Sequence, residues 1–276
     1  MLSLLKRLHQ NQTVVQLCRR FYLLANLWDL IDVIRCAWVV HQFQKNPTKT
    51  DDVLYETCLK LSIGQIHEEI QWAAEILDKH HVKTLIELGA AKAGNAFYLA
   101  QRLQHLEKLI TVDLHPRIIW LSAQQHQSLT SQRKVRAKLP FRKSGNRPFT
   151  IGFTWARRYL IQWRYSSKII PYYSCSVLAE EPLYIQHEFL NQNPVDCLFY
   201  DADKNEYAVK MNLEAYLPLL KPGGLLVIQD INYTLDSSNR GMRVFWDNLD
   251  PQQFKKVGEN CAAEAWQHDV GGIGIA

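Results

Sequence analysis

From Gln65 onward the apolar positions alternate between two patterns, one recurring every three or four residues and one running as short unbroken stretches. The first pattern predicts helices over 66–80, 93–106, 182–191 and 206–220. The second predicts strands over 84–88, 109–113, 196–200 and 225–229, with a shorter one near 171–176. Strands that read as continuous apolar runs are covered on both faces, which is the condition of a parallel sheet between layers of helix. The predicted class is therefore α/β, a doubly wound, Rossmann-like and mostly parallel sheet.

The two ends of the chain depart from that rhythm. Val14, Leu17, Phe21, Leu24, Trp28, Ile31, Ile34 and Trp38 recur at helical spacing before a polar break at 46–52, so residues 1–64 are read as an N-terminal helical region. The remaining 65–276 form one domain, closing with a helix over 241–249, a strand near 254–257 and an apolar, glycine-rich end at 270–275 that suits a late hairpin.

Composition supports a globular protein, with 47% hydrophobic and 21% charged residues in 276. The six cysteines are scattered without the short paired spacings of a zinc or redox site, so a reducing, cytoplasmic setting is expected. No secretory signal is expected either, and Arg19, Arg20, Asp29, Asp32 and Arg35 interrupt the apolar stretch at 14–40 too often for a bilayer span.

The net charge of +5 is unevenly spread: no acidic residue occurs between Asp113 and Glu180. Arg133, Lys134, Arg136, Arg157, Arg158 and Arg164 fall in that stretch, with Trp155, Tyr159, Trp163 and Tyr165 among them. The segment 120–168 reads as an insertion that covers a pocket, with contact to nucleic acid or an anionic membrane as alternatives. The N-terminal helices are expected to pack on the core or to form a homodimer; a peripheral position at a membrane surface is the other reading.

Candidate chemistry lies where strands end. Ile86-Glu87-Leu88-Gly89-Ala90-Ala91-Lys92-Ala93-Gly94-Asn95 turns a predicted strand into a predicted helix, whose first N–H groups are free to meet a nucleotide-like ligand. It is not a phosphate-cradling loop, since Asn95 and Ala96 stand where the lysine and hydroxyl residue are needed. Nor is it the dinucleotide fingerprint, because Ala91 replaces the second glycine. Asp113 ends the next strand, where a carboxylate can accept both ribose hydroxyls. Two further strands end at Asp201 and Asp230, and the segment between them carries Lys204 and Lys221-Pro222-Gly223-Gly224.

These motifs, in this order, resemble the class I S-adenosylmethionine (SAM) dependent methyltransferases. Within them the chain is similar to the group of cephalosporin hydroxylase-like and macrocin O-methyltransferase-like proteins, and more distantly to catechol O-methyltransferase-like enzymes. The resemblance implies that Glu87, Gly89, Ala90 and Gly94 line the cofactor with Asp113 on its ribose, and that Asp201 borders it. In relatives that use a divalent cation such as Mg2+, the residues matching Asp201 and Asp230 are ligands, and Gln229 or Asn232 is the neutral oxygen available here. Lys204 resembles the catechol-type lysine that acts as general base, with Asp201 beside it in the catalytic set. The sequence departs from the catechol pattern at Asp230-Ile231, where those enzymes have Asp-Asn.

The resemblance implies SAM-dependent O-methylation of a small-molecule hydroxyl, of sugar, polyketide or phenolic type. A non-catalytic SAM-binding module acting through the basic insertion on nucleic acid or membrane is the alternative. Base N-methylation is disfavoured, because Asp201-Ala202-Asp203-Lys204 occupies the place of an Asn-Pro-Pro-Tyr-like tetrapeptide.

Overall fold

The structure is a computed structural model that describes residues 22–46, 48–61, 63–90, 93–113, 168–173, 181–202, 204, 206–232, 241–262 and 271–276. The basic stretch, including most of the expected insertion, lies outside the described residues, as do Ala91, Lys92 and Asp203.

Among the described residues seven strands form one sheet: β1 (Thr84–Leu88), β2 (Lys108–Asp113), β3 (Ile169–Tyr173), β4 (Val195–Tyr200), β5 (Leu220–Gln229), β6 (Gly258–Asn260) and β7 (Ile273–Ile275). Their spatial order is β3-β2-β1-β4-β5-β7-β6. The pairings from β3 across to β5 are parallel, and β7 runs antiparallel between β5 and β6. The described helices are α1 (Tyr22–Lys45), α2 (Asp51–Lys60), α3 (His67–Lys79), α4 (Gly94–Arg102), α5 (Glu181–Glu188), α6 (Glu206–Tyr216) and α7 (Gly241–Asp247). The doubly wound, mostly parallel α/β sheet expected from the sequence is the fold observed.

Alternate residues of the strands feed two cores. Leu85, Cys197, Phe199 and Val227 pack on one side with Ile70, Ala73 and Leu77 of α3 and Phe97 of α4. Ile86, Leu198, Tyr200 and Leu226 pack on the other with Val209 and Leu213 of α6 and Trp246 of α7. Cys36, Val40 and Phe43 of α1 and Leu54 and Cys58 of α2 belong to the first core, so the described N-terminal helices pack on the sheet's own helices.

That packing corrects the stripe read from the sequence at Ile34 and Trp38, while Val14, Leu17 and Phe21 lie outside the described residues. Ile34 and Trp38 are 61% and 49% exposed, while Cys36 and Val40 are fully buried. Cys36 and Val40 instead share the first core with Leu54 and Cys58 of α2. A separate helix, α2, starts inside the polar break: Thr50 Oγ1 accepts from Val53 N (3.4 Å), and Asp51 and Asp52 occupy its first turn, where the helix dipole favours negative charge.

Several boundaries also move. α6 stops at Tyr216 because Pro218 cannot continue it, and Leu217–Leu219 form a 3-10 turn. β5 starts at Leu220, earlier than expected, and runs through Lys221-Pro222-Gly223-Gly224 with a register shift against β4 between Val195 and Cys197. β6 lies at Gly258–Asn260 rather than 254–257, and it pairs with β7 as the late hairpin.

The chain winds outward from β1 to β3 and then returns to place β4 on the other side of β1. Open sheets bind ligands beside the carboxyl ends of strands at such a reversal. Among the described residues no helix is long and apolar enough to cross a membrane.

Candidate active site

At the reversal the backbones of β1 and β4 come together. Asp201 N donates to Leu88 O (2.8 Å), and Gly89 N donates to Val112 O on β2 (2.9 Å). Gly89 has φ +95°, and a Cβ there would lie 2.2 Å from Asp201 O. Only glycine fits both the dihedral and the space.

The chain then turns into α4 through Ala93, itself left-handed at φ 64°, with Ala93 N bonded to Ala90 O (2.7 Å). Glu87, the last but one residue of β1, is fully buried and accepts from Asn95 Nδ2 (2.6 Å). The other polar atom of that amide, Asn95 Oδ1, is buried and has no hydrogen-bond partner. Here the helix amino terminus, with its outward N–H groups, lies beside an unsatisfied acceptor. Asp113 closes β2 on the far side of β1, in register with Tyr173 of β3.

On the near side the ends of β4 and β5 bring two carboxylates onto one ammonium. Lys204 Nζ lies 3.4 Å from Asp201 Oδ1 and is also hydrogen-bonded to Asp230 Oδ2. Gln65 donates through Nε2 to Asp201 Oδ2 (2.8 Å) and to Gln229 Oε1. Asp230 has φ 56°, an uncommon conformation that Asp tolerates better than most side chains, and its Oδ1 accepts from Gly271 N (3.1 Å). The side chains of Asp201, Lys204 and Asp230 are 19%, 21% and 13% exposed, sheltered from bulk water yet still reachable.

Shelter decides the protonation states. Burial pushes the Asp201 carboxyl up to about 7, with the charge of Asp230 adding to the rise and Lys204 opposing it. Burial would depress the Lys204 ammonium, but Asp201 and Asp230 outweigh it and raise its pKa above the ordinary lysine value. Lys204 is thus held as a cation, and of the pair it is Asp201 that can take up a proton near neutral pH.

The hairpin that carries Gly271 is pinned from α3. Glu69, buried, accepts from Ala262 N (2.9 Å) and Gly272 N (2.9 Å), and burial raises its pKa against those two bonds.

Of the residues singled out in the sequence, Asp201, Lys204, Gln229 and Asp230 meet in one cluster. Glu87, Gly89, Ala90 and Gly94 line the β1–α4 turn, and Asp113 stands one strand further on. Two partners were missed. Gln65 precedes α3 with no motif around it, and Asn95 lay inside the quoted turn but carried no assigned role.

A methyltransferase-domain family has a sequence pattern that matches residues 86–231, from the centre of β1 past the end of β5 and more than half of the chain. The chain belongs to this family. It is a class I SAM-dependent methyltransferase, and the sheet order and strand-end motifs are those of that class. Solved structures with a similar arrangement include an O-methyltransferase from Bacillus cereus in complex with S-adenosylhomocysteine (SAH), 13% identical, covering 86% of this chain and 96% of its own, with a TM-score of 0.49. Another is the O-methyltransferase TomG from Streptomyces achromogenes, involved in tomaymycin synthesis and in complex with SAM, 13% identical, covering 88% of this chain and 87% of its own, with a TM-score of 0.45. No curated protein sequence matches the chain.

Proposed function

We propose that this methyltransferase acts on oxygen, transferring the methyl group of SAM to a hydroxyl of a small molecule held at Asp201 and Lys204. The observation that carries this reading is the convergence of a sheltered carboxylate, whose pKa is raised to about 7, and an ammonium fixed by two carboxylates beside the β1–α4 turn.

The turn has the features a SAM molecule needs. The N–H groups that open α4 suit the methionine carboxylate, the unpartnered Asn95 Oδ1 suits its ammonium, and Asp113 suits the ribose hydroxyls. When bound, SAM supplies a methyl carbon activated by a positively charged sulfur.

The chain's own task is to make a hydroxyl oxygen attack that carbon. Asp201 accepts the hydroxyl proton as the new C–O bond forms and the C–S bond breaks, with the sulfur keeping the bonding electrons and leaving as neutral SAH. Lys204 holds the oxygen as its negative charge develops, in a pocket where water screens little. Asp230 and Gln65 fix the positions of that pair. In this assignment Lys204 is the electrostatic partner and Asp201 the base, whereas the resemblance to catechol-type enzymes would make the lysine the base.

The test is calorimetric titration of the purified chain with SAH beside NAD as a control, followed by SAM and a panel of hydroxylated acceptors read by product mass. SAH binding with methyl ethers as products is expected. Binding of NAD instead, or methylation of nitrogen acceptors alone, would overturn the reading.

A further inference from the structure

We infer that Lys204 takes the place of the divalent cation, so that this site neither binds nor needs one. The inference rests on the proposed oxygen-directed reading and deepens it. In metal-using relatives the matching carboxylates hold the ion, so Asp201, Asp230 and Gln229 were the expected ligands. Their oxygen atoms are already committed to protein donors.

Asp201 Oδ2 accepts from Gln65 Nε2 (2.8 Å), and Asp201 Oδ1 faces Lys204 Nζ (3.4 Å). Asp230 Oδ1 accepts from Gly271 N (3.1 Å), and Asp230 Oδ2 accepts from the same ammonium. The neutral candidates are engaged too. Gln229 Oε1 accepts from Gln65, and Asn232 Oδ1 accepts from Arg243 Nη1 (3.4 Å). The position after Asp230 is Ile231, fully buried in the second core and without a donor oxygen in its side chain. Among the described residues no group of three or more His, Cys, Asp or Glu side chains could hold a metal ion.

A hard divalent cation needs six or more oxygen ligands, from protein or water, and repels a neighbouring ammonium. Entry would require Lys204 to leave both carboxylates and Gln65 to turn its amide. Lys204 already supplies a fixed positive charge at the place where the substrate oxygen becomes negative, which is the role an ion would fill.

The experiment is a titration of the full chain with Mn2+, read by the loss of its free-ion magnetic resonance signal, on the wild type, K204R, K204M and D230N. The expected result is no saturable Mn2+ binding to the wild type or K204R. K204M, which leaves two carboxylates without their cation, should gain saturable Mn2+ binding. Saturable binding to the wild type that D230N abolishes would overturn the inference, and so would a K204M protein, folded by its circular dichroism, that gains no Mn2+ affinity. SAH titration of the same samples separates the two claims: loss of SAH binding by the wild type counts against the methyltransferase assignment, whatever Mn2+ does.

Discussion

Gln65 donates to Asp201 across a separation of 136 residues, tying the segment before α3 to the end of β4 at 2.8 Å. That bond favours the charged carboxylate and works against the burial that raises its pKa. If Asp201 is the base, methyl transfer falls as the pH drops through about 7, because the protonated acid cannot accept the substrate's proton. Gln65→Ala removes a stabilising donor, so the acidic limb of the kcat/KM profile should move to higher pH. The rate near neutrality should fall several-fold, roughly as the ionised fraction of Asp201 falls. An unshifted limb would detach Gln65 from the chemistry.

Gly89 offers a sharper structural test. A Cβ at that position falls 2.2 Å from a backbone oxygen of Asp201, and no side-chain rotamer can relieve an overlap with main chain. Its φ of +95° adds strain for any L residue. Gly89→Ala should cost about 2–3 kcal/mol, lowering the melting temperature by roughly 5–10 °C. SAH affinity should fall with it, since β1 and β4 must part near the turn. A variant as stable as the wild type would contradict the close approach.

How far the sequence foretells these relationships depends on the range over which each is determined. β1 was legible with its observed bounds because Leu85, Ile86 and Leu88 lie between a polar entry and Gly89, and both signals are local. The carboxylates at the ends of β4 and β5 were legible as a pair because parallel strands put their carboxyl ends on one edge. What failed was information set by partners distant in the chain. Ile34 and Trp38 look as apolar as Cys36 and Val40, and only the shape of α2 and α4 decides which pair turns inward. Gln65 carries no local mark of its role, since its two acceptors are supplied by residues 201 and 229. The proposed assignment of Asp201 as base rests on the burial that raises its pKa and on the two carboxylates that keep Lys204 charged, and a linear motif encodes neither.

Asp113 tests the placement of the cofactor. A carboxylate at the end of β2 that accepts two ribose hydroxyls forms charge-assisted bonds worth about 1.5–3 kcal/mol each. Asp113→Ala should therefore weaken SAH binding by roughly two to four orders of magnitude. Calorimetry with SAH measures it directly. Unchanged affinity would move the ribose away from β2.

At the opposite edge of the sheet Asp196 makes a prediction about stability alone. Its Oδ2 accepts from Lys83 N (2.9 Å), Thr84 N (2.7 Å) and Thr84 Oγ1 (3.0 Å), while Oδ1 is paired with Lys221, so one carboxylate clasps the starts of β1, β4 and β5. Burial works against its charge, but Lys221 and the N–H donors of Thr84 and Lys83 outweigh it and hold the pKa below the usual 3.8. A group whose folded pKa is depressed contributes in full above its unfolded value and loses that contribution as the pH falls toward the folded one. Asp196→Asn should thus lower the urea-unfolding free energy by about 2 kcal/mol near neutrality, given charge-assisted bonds of about 1.5–3 kcal/mol each and partial retention by the amide. As the medium is made more acidic than about pH 4, the wild type should approach the variant, because its own carboxylate becomes protonated there. A gap that stays constant from neutral to acidic pH would mean that the charge of Asp196, as distinct from its shape, does not hold the strand ends together.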